Sequence, residues 1–84
     1  MSFNRDSVLV RIQKVFQQVF SLEPHNVTFS TSLANTQEWD SLQHMQLVIS
    51  LESEFQTQFA MGEILQLQSV EQIIETLESK DIAS

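Results

Sequence analysis

Asp40, Ser41 and His44 are the residues of this chain whose types and spacing suit chemistry. A serine and a histidine three apart on a helix are surface neighbours, so an imidazole stands near a hydroxyl with a carboxylate adjacent. That trio would fit nucleophilic hydrolysis. Hydrolysis also needs an oxyanion-binding loop and a substrate cleft, and the chain has no glycine-rich elbow and little length to build a cleft. At about 100° per residue, His44 falls on the side shared with Leu51 and Phe55, which makes it a core-edge histidine. His25 follows Pro24 and reads as a turn residue. Two distant histidines without cysteine do not make a metal site, and none is expected. The hydroxyl of Ser41 therefore calls for a use other than attack.

The elements that position Ser41 follow from apolar spacing. Val8, Leu9, Ile12, Val15, Phe16, Val19 and Phe20 recur at intervals of three and four, which predicts an amphipathic helix. Asn4 or Asp6 can cap its start, and Pro24 lies just beyond its end. Residues 21–40 form a long connection with scattered apolar anchors: Leu22, Val27, Phe29, Leu33 and Trp39. A connection that long is unusual in a compact domain unless it has a task, and the anchors predict that it packs across the helices. A second helix is expected from Asp40 to Phe55 or Gln56, opened by a capping box in which Asp40 accepts amide bonds and Gln43 reaches back. Met61, Ile64 and Leu65 allow a short helix over 61–66. Ser69-Val70-Glu71-Gln72 offers a second capping box ahead of a stripe of Val70, Ile73, Ile74 and Leu77. The last four residues are expected to fray. The expected fold is all-α, with three main helices, one short helix, no strand, and one domain over residues 1–84.

Eighty-four residues with 42% apolar content can bury a modest core and little else. One glycine and one proline leave few breakers, which favours helices over a turn-rich β fold. No apolar run approaches membrane-spanning length and no signal-like segment is visible, so no membrane association is expected. Cysteine is absent, which excludes disulfides and makes a cytoplasmic address the default expectation. The net charge of −7 is unevenly placed: residues 1–20 hold Arg5, Arg11 and Lys14 against Asp6, whereas residues 21–84 hold ten acids against Lys80. Such a surface repels phosphate backbones, so nucleic-acid binding is not expected. It would attract a basic patch on a partner enzyme, or simply keep a small protein in solution.

Helix 2 shows two apolar groups when its faces are counted. Leu47, Val48, Leu51 and Phe55 cluster on one side as a core stripe. Leu42, Met45 and Ile49 cluster on another, with Gln46 and Ser53 at its border. That second group is either buried in a helix covered nearly all round or exposed beside Ser41 as a docking patch. A cofactor-free helical adaptor that binds a partner through Leu42, Met45 and Ile49 would also account for it.

Asp40-Ser41-Leu42, with the helix that follows and its closing Leu51-Glu52-Ser53-Glu54-Phe55, resembles the attachment site of the acyl and peptidyl carrier protein family. The resemblance covers nearly the whole chain: the first amphipathic helix, the loop with Thr31-Ser32-Leu33, the attachment tripeptide, a short segment and a closing helix containing Ser69-Val70. It implies a small antiparallel helical bundle whose first loop crosses the helices. It also implies that Ser41 carries 4′-phosphopantetheine, whose thiol holds the cargo as a thioester. Asp40 would stand beside the site, where it could help hold the magnesium that accompanies coenzyme A phosphates. A helix N-terminus suits this role, because free amides and the helix dipole favour a phosphate. The implied partners are a phosphopantetheinyl transferase and enzymes that load and unload acyl or aminoacyl groups. They would grip Leu42 and Met45, with Gln46 and Ile49 on the same face, on a monomeric carrier that is not itself an enzyme. Two departures stand out. Glu38-Trp39 replaces the usual Gly-x before Asp-Ser, and Trp39 is expected to anchor the loop. Fatty-acid carriers usually have an acidic second helix near the attachment serine, whereas this chain places Gln43, Gln46, Ser50 and Ser53 there, with Glu52 and Glu54 further on, which implies a specialised pathway outside bulk fatty-acid synthesis.

Overall fold

Four α-helices and two short 3₁₀ turns make up residues 4–80, the part of the chain described by the computed structural model. The helices are α1 (Arg5–Phe20), α2 (Ser41–Phe55), α3 (Met61–Gln66) and α4 (Val70–Ser79). The expected fraying of the last four residues lies outside the described residues. Helix starts follow the capping residues. The Asn4 side chain accepts the Ser7 amide at 3.0 Å, so Asn4 is the cap of α1. Asp6 sits in the first turn, where its charge complements the helix dipole. Asp40 caps α2 and Ser69 caps α4, accepting the amides of Gln43 at 2.9 Å and Gln72 at 3.1 Å.

Both capping boxes are corrected in detail. No bond from the Gln43 side chain back to the Asp40 amide occurs among the described residues. The Gln72 side chain does reach back, but it accepts the amide of Gln68, one residue before the cap. Helices α1 and α2 both end on non-glycine residues in the left-handed region, Ser21 at φ 59° and Gln56 at φ 54°.

The core is built from one stripe of each main helix. Val8, Ile12, Val15, Phe16 and Phe20 of α1 meet Leu47, Val48, Leu51 and Phe55 of α2 and Val70, Ile73, Ile74 and Leu77 of α4. Val27 and Trp39 enter from the long connection, and Phe59 and Leu67 from the segments flanking α3. Leu22 and Phe29 pack against this core partly buried, whereas Leu33 is 40% exposed and is not a core anchor.

The long connection is fastened at several points. Gln13 donates to the Val27 carbonyl at 2.8 Å. The Thr31 carbonyl accepts the Val70 amide at 2.9 Å, and the Leu33 amide donates to the Gln68 carbonyl at 2.8 Å. These bonds enclose an isolated antiparallel bridge between Ser32 and Ser69, with no strand among the described residues. The segment before Ser41 is thereby tied to the start of α4.

All four cations of the chain are paired, so the positive balance of residues 1–20 is neutralised internally. Arg5 reaches Glu71 and Glu78, Lys80 reaches Glu63, and Arg11 and Lys14 converge on Glu54 at 2.9 and 3.4 Å. Arg11 also donates to the Glu54 carbonyl and lies 4.4 Å over the Phe55 ring. The Glu54 side chain is 18% exposed, and the Arg11 hydrogen bond, aided by Lys14, holds its carboxyl below the ordinary carboxylate value. A depressed folded value means stabilisation that is present above the ordinary value and is lost as pH falls through the folded one. Glu54→Gln is therefore expected to cost about 1–3 kcal/mol near neutrality and to flatten the acid limb of the stability curve. Urea unfolding followed across pH reads both effects, and an unchanged acid limb would show that Glu54 does not couple α1 to α2.

Candidate functional site

Ser41 is the first residue of α2, and the bonds around it leave its polar groups free. Asp40 takes two amides further along the first turn, that of Gln43 through its carboxylate at 2.9 Å and that of His44 through its carbonyl at 2.8 Å. The amides of Ser41 and Leu42 have no acceptor among the described residues, as expected for the first turn of a helix. The Ser41 hydroxyl is exposed and makes no hydrogen bond among those residues.

Trp39 fixes the segment that delivers Ser41. It is 2% exposed, meets the Phe16 ring edge-on at 5.3 Å and lies 6.0 Å from the Phe20 ring. Its indole N–H donates to His44 Nδ1 at 2.9 Å, while His44 Nε2 lies 2.9 Å from the Ile64 carbonyl. Both ring nitrogens of His44 are thus engaged, and neither is free to act as a base on Ser41. The trio that could have served hydrolysis is a structural brace beside an exposed hydroxyl. Around it lies a shallow cleft of about 370 Å³, lined by Leu33, Trp39, Asp40, Ser41, His44, Leu65 and Gln68. No cluster of three or more potential metal ligands occurs among the described residues.

The two apolar groups of α2 separate in the structure. Leu47, Val48, Leu51 and Phe55 are buried. Leu42 is 76%, Met45 48% and Ile49 56% exposed, and Gln46 between them is exposed as well. The reading of α2 as buried nearly all round is overturned. Met61 and Leu65 of α3 extend the set of exposed apolar side chains, and Leu65 also lines the Ser41 cleft.

Residues 10–77 match the family described as phosphopantetheine attachment site. The chain belongs to that family. The carrier is similar to the acyl carrier protein of Coprothermobacter proteolyticus, 23% identical over 75 residues that cover 89% of this chain and 92% of that protein. Its fold is similar to the solution structure of holo acyl carrier protein from Geobacter metallireducens, with a TM-score of 0.75 and 35% identity. That match covers 86% of this chain and 83% of the other. The protein is an acyl carrier with covalently attached 4′-phosphopantetheine, in a family of non-catalytic carriers, and its role implies contact with carrier-modifying and acyl-handling enzymes. The cofactor-free adaptor is set aside by the same match. A phosphodiester suits the exposed start of α2, where a free hydroxyl, two open amides and the positive end of the helix dipole coincide. No helix among the described residues is long and apolar enough to cross a membrane.

Proposed function

We propose that Ser41 is the attachment residue and that Leu42, Met45, Gln46 and Ile49 dock the enzymes that modify, load and unload the carrier. The observation that carries this reading is the unbonded, exposed Ser41 hydroxyl at the start of α2, with exposed apolar side chains on the same helix. The cofactor supplies a thiol that holds the acyl group as a thioester. The chain's own contribution is placement. Asp40 caps the helix so that Ser41 stands at a rigid corner, and Trp39 locks the preceding loop into the core. An enzyme gripping Leu42 and Met45 receives the hydroxyl, or whatever it bears, within one helical turn of its contact. The protein acts as a monomeric substrate of a phosphopantetheinyl transferase, in the cytoplasm, as one domain. Incubation with coenzyme A and a broad-specificity transferase is expected to add one cofactor unit to its intact mass.

The pathway is proposed to be a specialised one, outside bulk fatty-acid synthesis. Gln43, Gln46, Ser50 and Ser53 are neutral, so docking on α2 near Ser41 rests on apolar contact rather than ion pairs. Steering by the net charge of −7 persists but is diffuse. Loading of the holo-protein with malonyl groups by a fatty-acid malonyl transferase is therefore expected to be poor and to change only a few-fold over a salt series. Efficient loading that collapses steeply with salt would overturn the specialised-pathway reading.

A further inference from the structure

The geometry points to His44 as a positioning residue: as the neutral tautomer protonated on Nε2, it fastens the Trp39 loop and α3 to α2 and so holds the cleft beside Ser41 in shape. The tautomer follows from the partners. An indole N–H only donates, so the Nδ1 lone pair 2.9 Å away must accept. The ring proton then lies on Nε2 and is donated to the Ile64 carbonyl at 2.9 Å. That carbonyl belongs to the last turn of a six-residue helix, where continued helix does not supply the partner and only the Leu67 amide, at 3.3 Å, also approaches.

A helix as short as α3 depends on tertiary ties for its place. One end is held through Glu63, which accepts the Ala60 amide at 2.8 Å and pairs with Lys80 at 2.9 Å. The His44 bond ties the side that faces the attachment site. Leu65, the residue after Ile64, forms a wall of the cleft, and Trp39 lines the same cleft. One imidazole therefore links two parts of that lining, with Ser41 one turn before it on α2.

The consequence for cofactor addition rests on Ser41 being the attachment residue, whereas the brace itself does not. Trp39 is the only tryptophan, so its indole N–H gives one resonance. Removing the imidazole in His44→Phe is expected to shift that resonance and, with it, the amides of residues 61–66. His44→Asn, whose side-chain oxygen can accept near the Nδ1 position, should restore the indole resonance and not the α3 amides, and His44→Gln, whose amide nitrogen can donate to the Ile64 carbonyl, should do the reverse. Cofactor addition to His44→Phe is expected to slow about fivefold, the factor that one lost hydrogen bond carries. An indole resonance unmoved in His44→Phe, or a native rate of cofactor addition, overturns the inference. If Ser41→Ala is still modified while His44→Phe in that background still moves the indole and α3 resonances, the attachment assignment fails and the brace is supported.

Discussion

Ser41→Ala is expected to abolish cofactor addition completely while leaving stability within about 0.5 kcal/mol of the native chain. The first effect follows from chemistry, since the variant has no oxygen to join to the phosphate. Ser69, Ser32 and Ser7 offer no substitute. Ser69 Oγ is occupied in capping α4, Ser32 is held in the bridge to Ser69, and Ser7 lies within the first turn of α1 with its amide bonded to Asn4. The second effect follows from the capping pattern. Asp40, not Ser41, accepts the Gln43 amide, and the Ser41 hydroxyl makes no bond that folding would miss. Intact mass after exposure to coenzyme A and a broad-specificity transferase reads the first effect, and urea unfolding of the same sample reads the second. Modification that persists in the variant would remove Ser41 as the site. Loss of modification together with a large loss of stability would mean that the variant reports on folding instead.

Periodicity made the helices legible, because each buries one stripe. The spacing of Val8 through Phe20 and of Leu47 through Phe55 predicts the buried faces of α1 and α2. The short helix over 61–66 has the bounds expected of it. Angular counting also separated Leu42, Met45 and Ile49 from the core stripe, but only three-dimensional packing could show that nothing among the described residues covers them. Non-helical segments carried weaker signals. Phe59 and Leu67 are core residues that lie outside any helix, so no period points to them. The tie of Thr31 and Leu33 to Gln68 and Val70 joins backbone groups, which side-chain identity does not announce. Trp39 was readable as an anchor and His44 as a core-edge residue. Their mutual bond was not, because it spans the junction of loop and helix where neither period applies. The functional trio illustrates the general point: the missing elbow and cleft already argue against a catalytic pairing of Ser41 and His44, and the imidazole bonded to Trp39 and Ile64 supplies the geometric reason.

Leu47→Ala and Leu42→Ala, five positions apart on one helix, are expected to fail in opposite ways. Leu47 has no exposed surface and belongs to the core cluster that the α1 stripe completes. Truncating such a leucine removes its transfer energy and leaves a cavity, at a cost of about 2–5 kcal/mol. Domains of this kind are stable by only about 0.05–0.15 kcal/mol per residue, so the variant should lose a large part of its stability and its urea midpoint should fall sharply. Leu42 is 76% exposed, so its truncation should change stability by less than about 0.5 kcal/mol. Its effect should appear in transfer to and from the arm, slowed about tenfold if Leu42 is a central docking contact. Charge is untouched by either change, so steering cannot account for a difference. Urea midpoints and single-turnover transfer rates, measured on both variants, separate the faces. A destabilised Leu42→Ala would place that side chain in the core. A stable Leu42→Ala with native transfer rates would leave the exposed face of α2 without a role in docking, and the contact would have to be sought on Met61 and Leu65 of α3 instead.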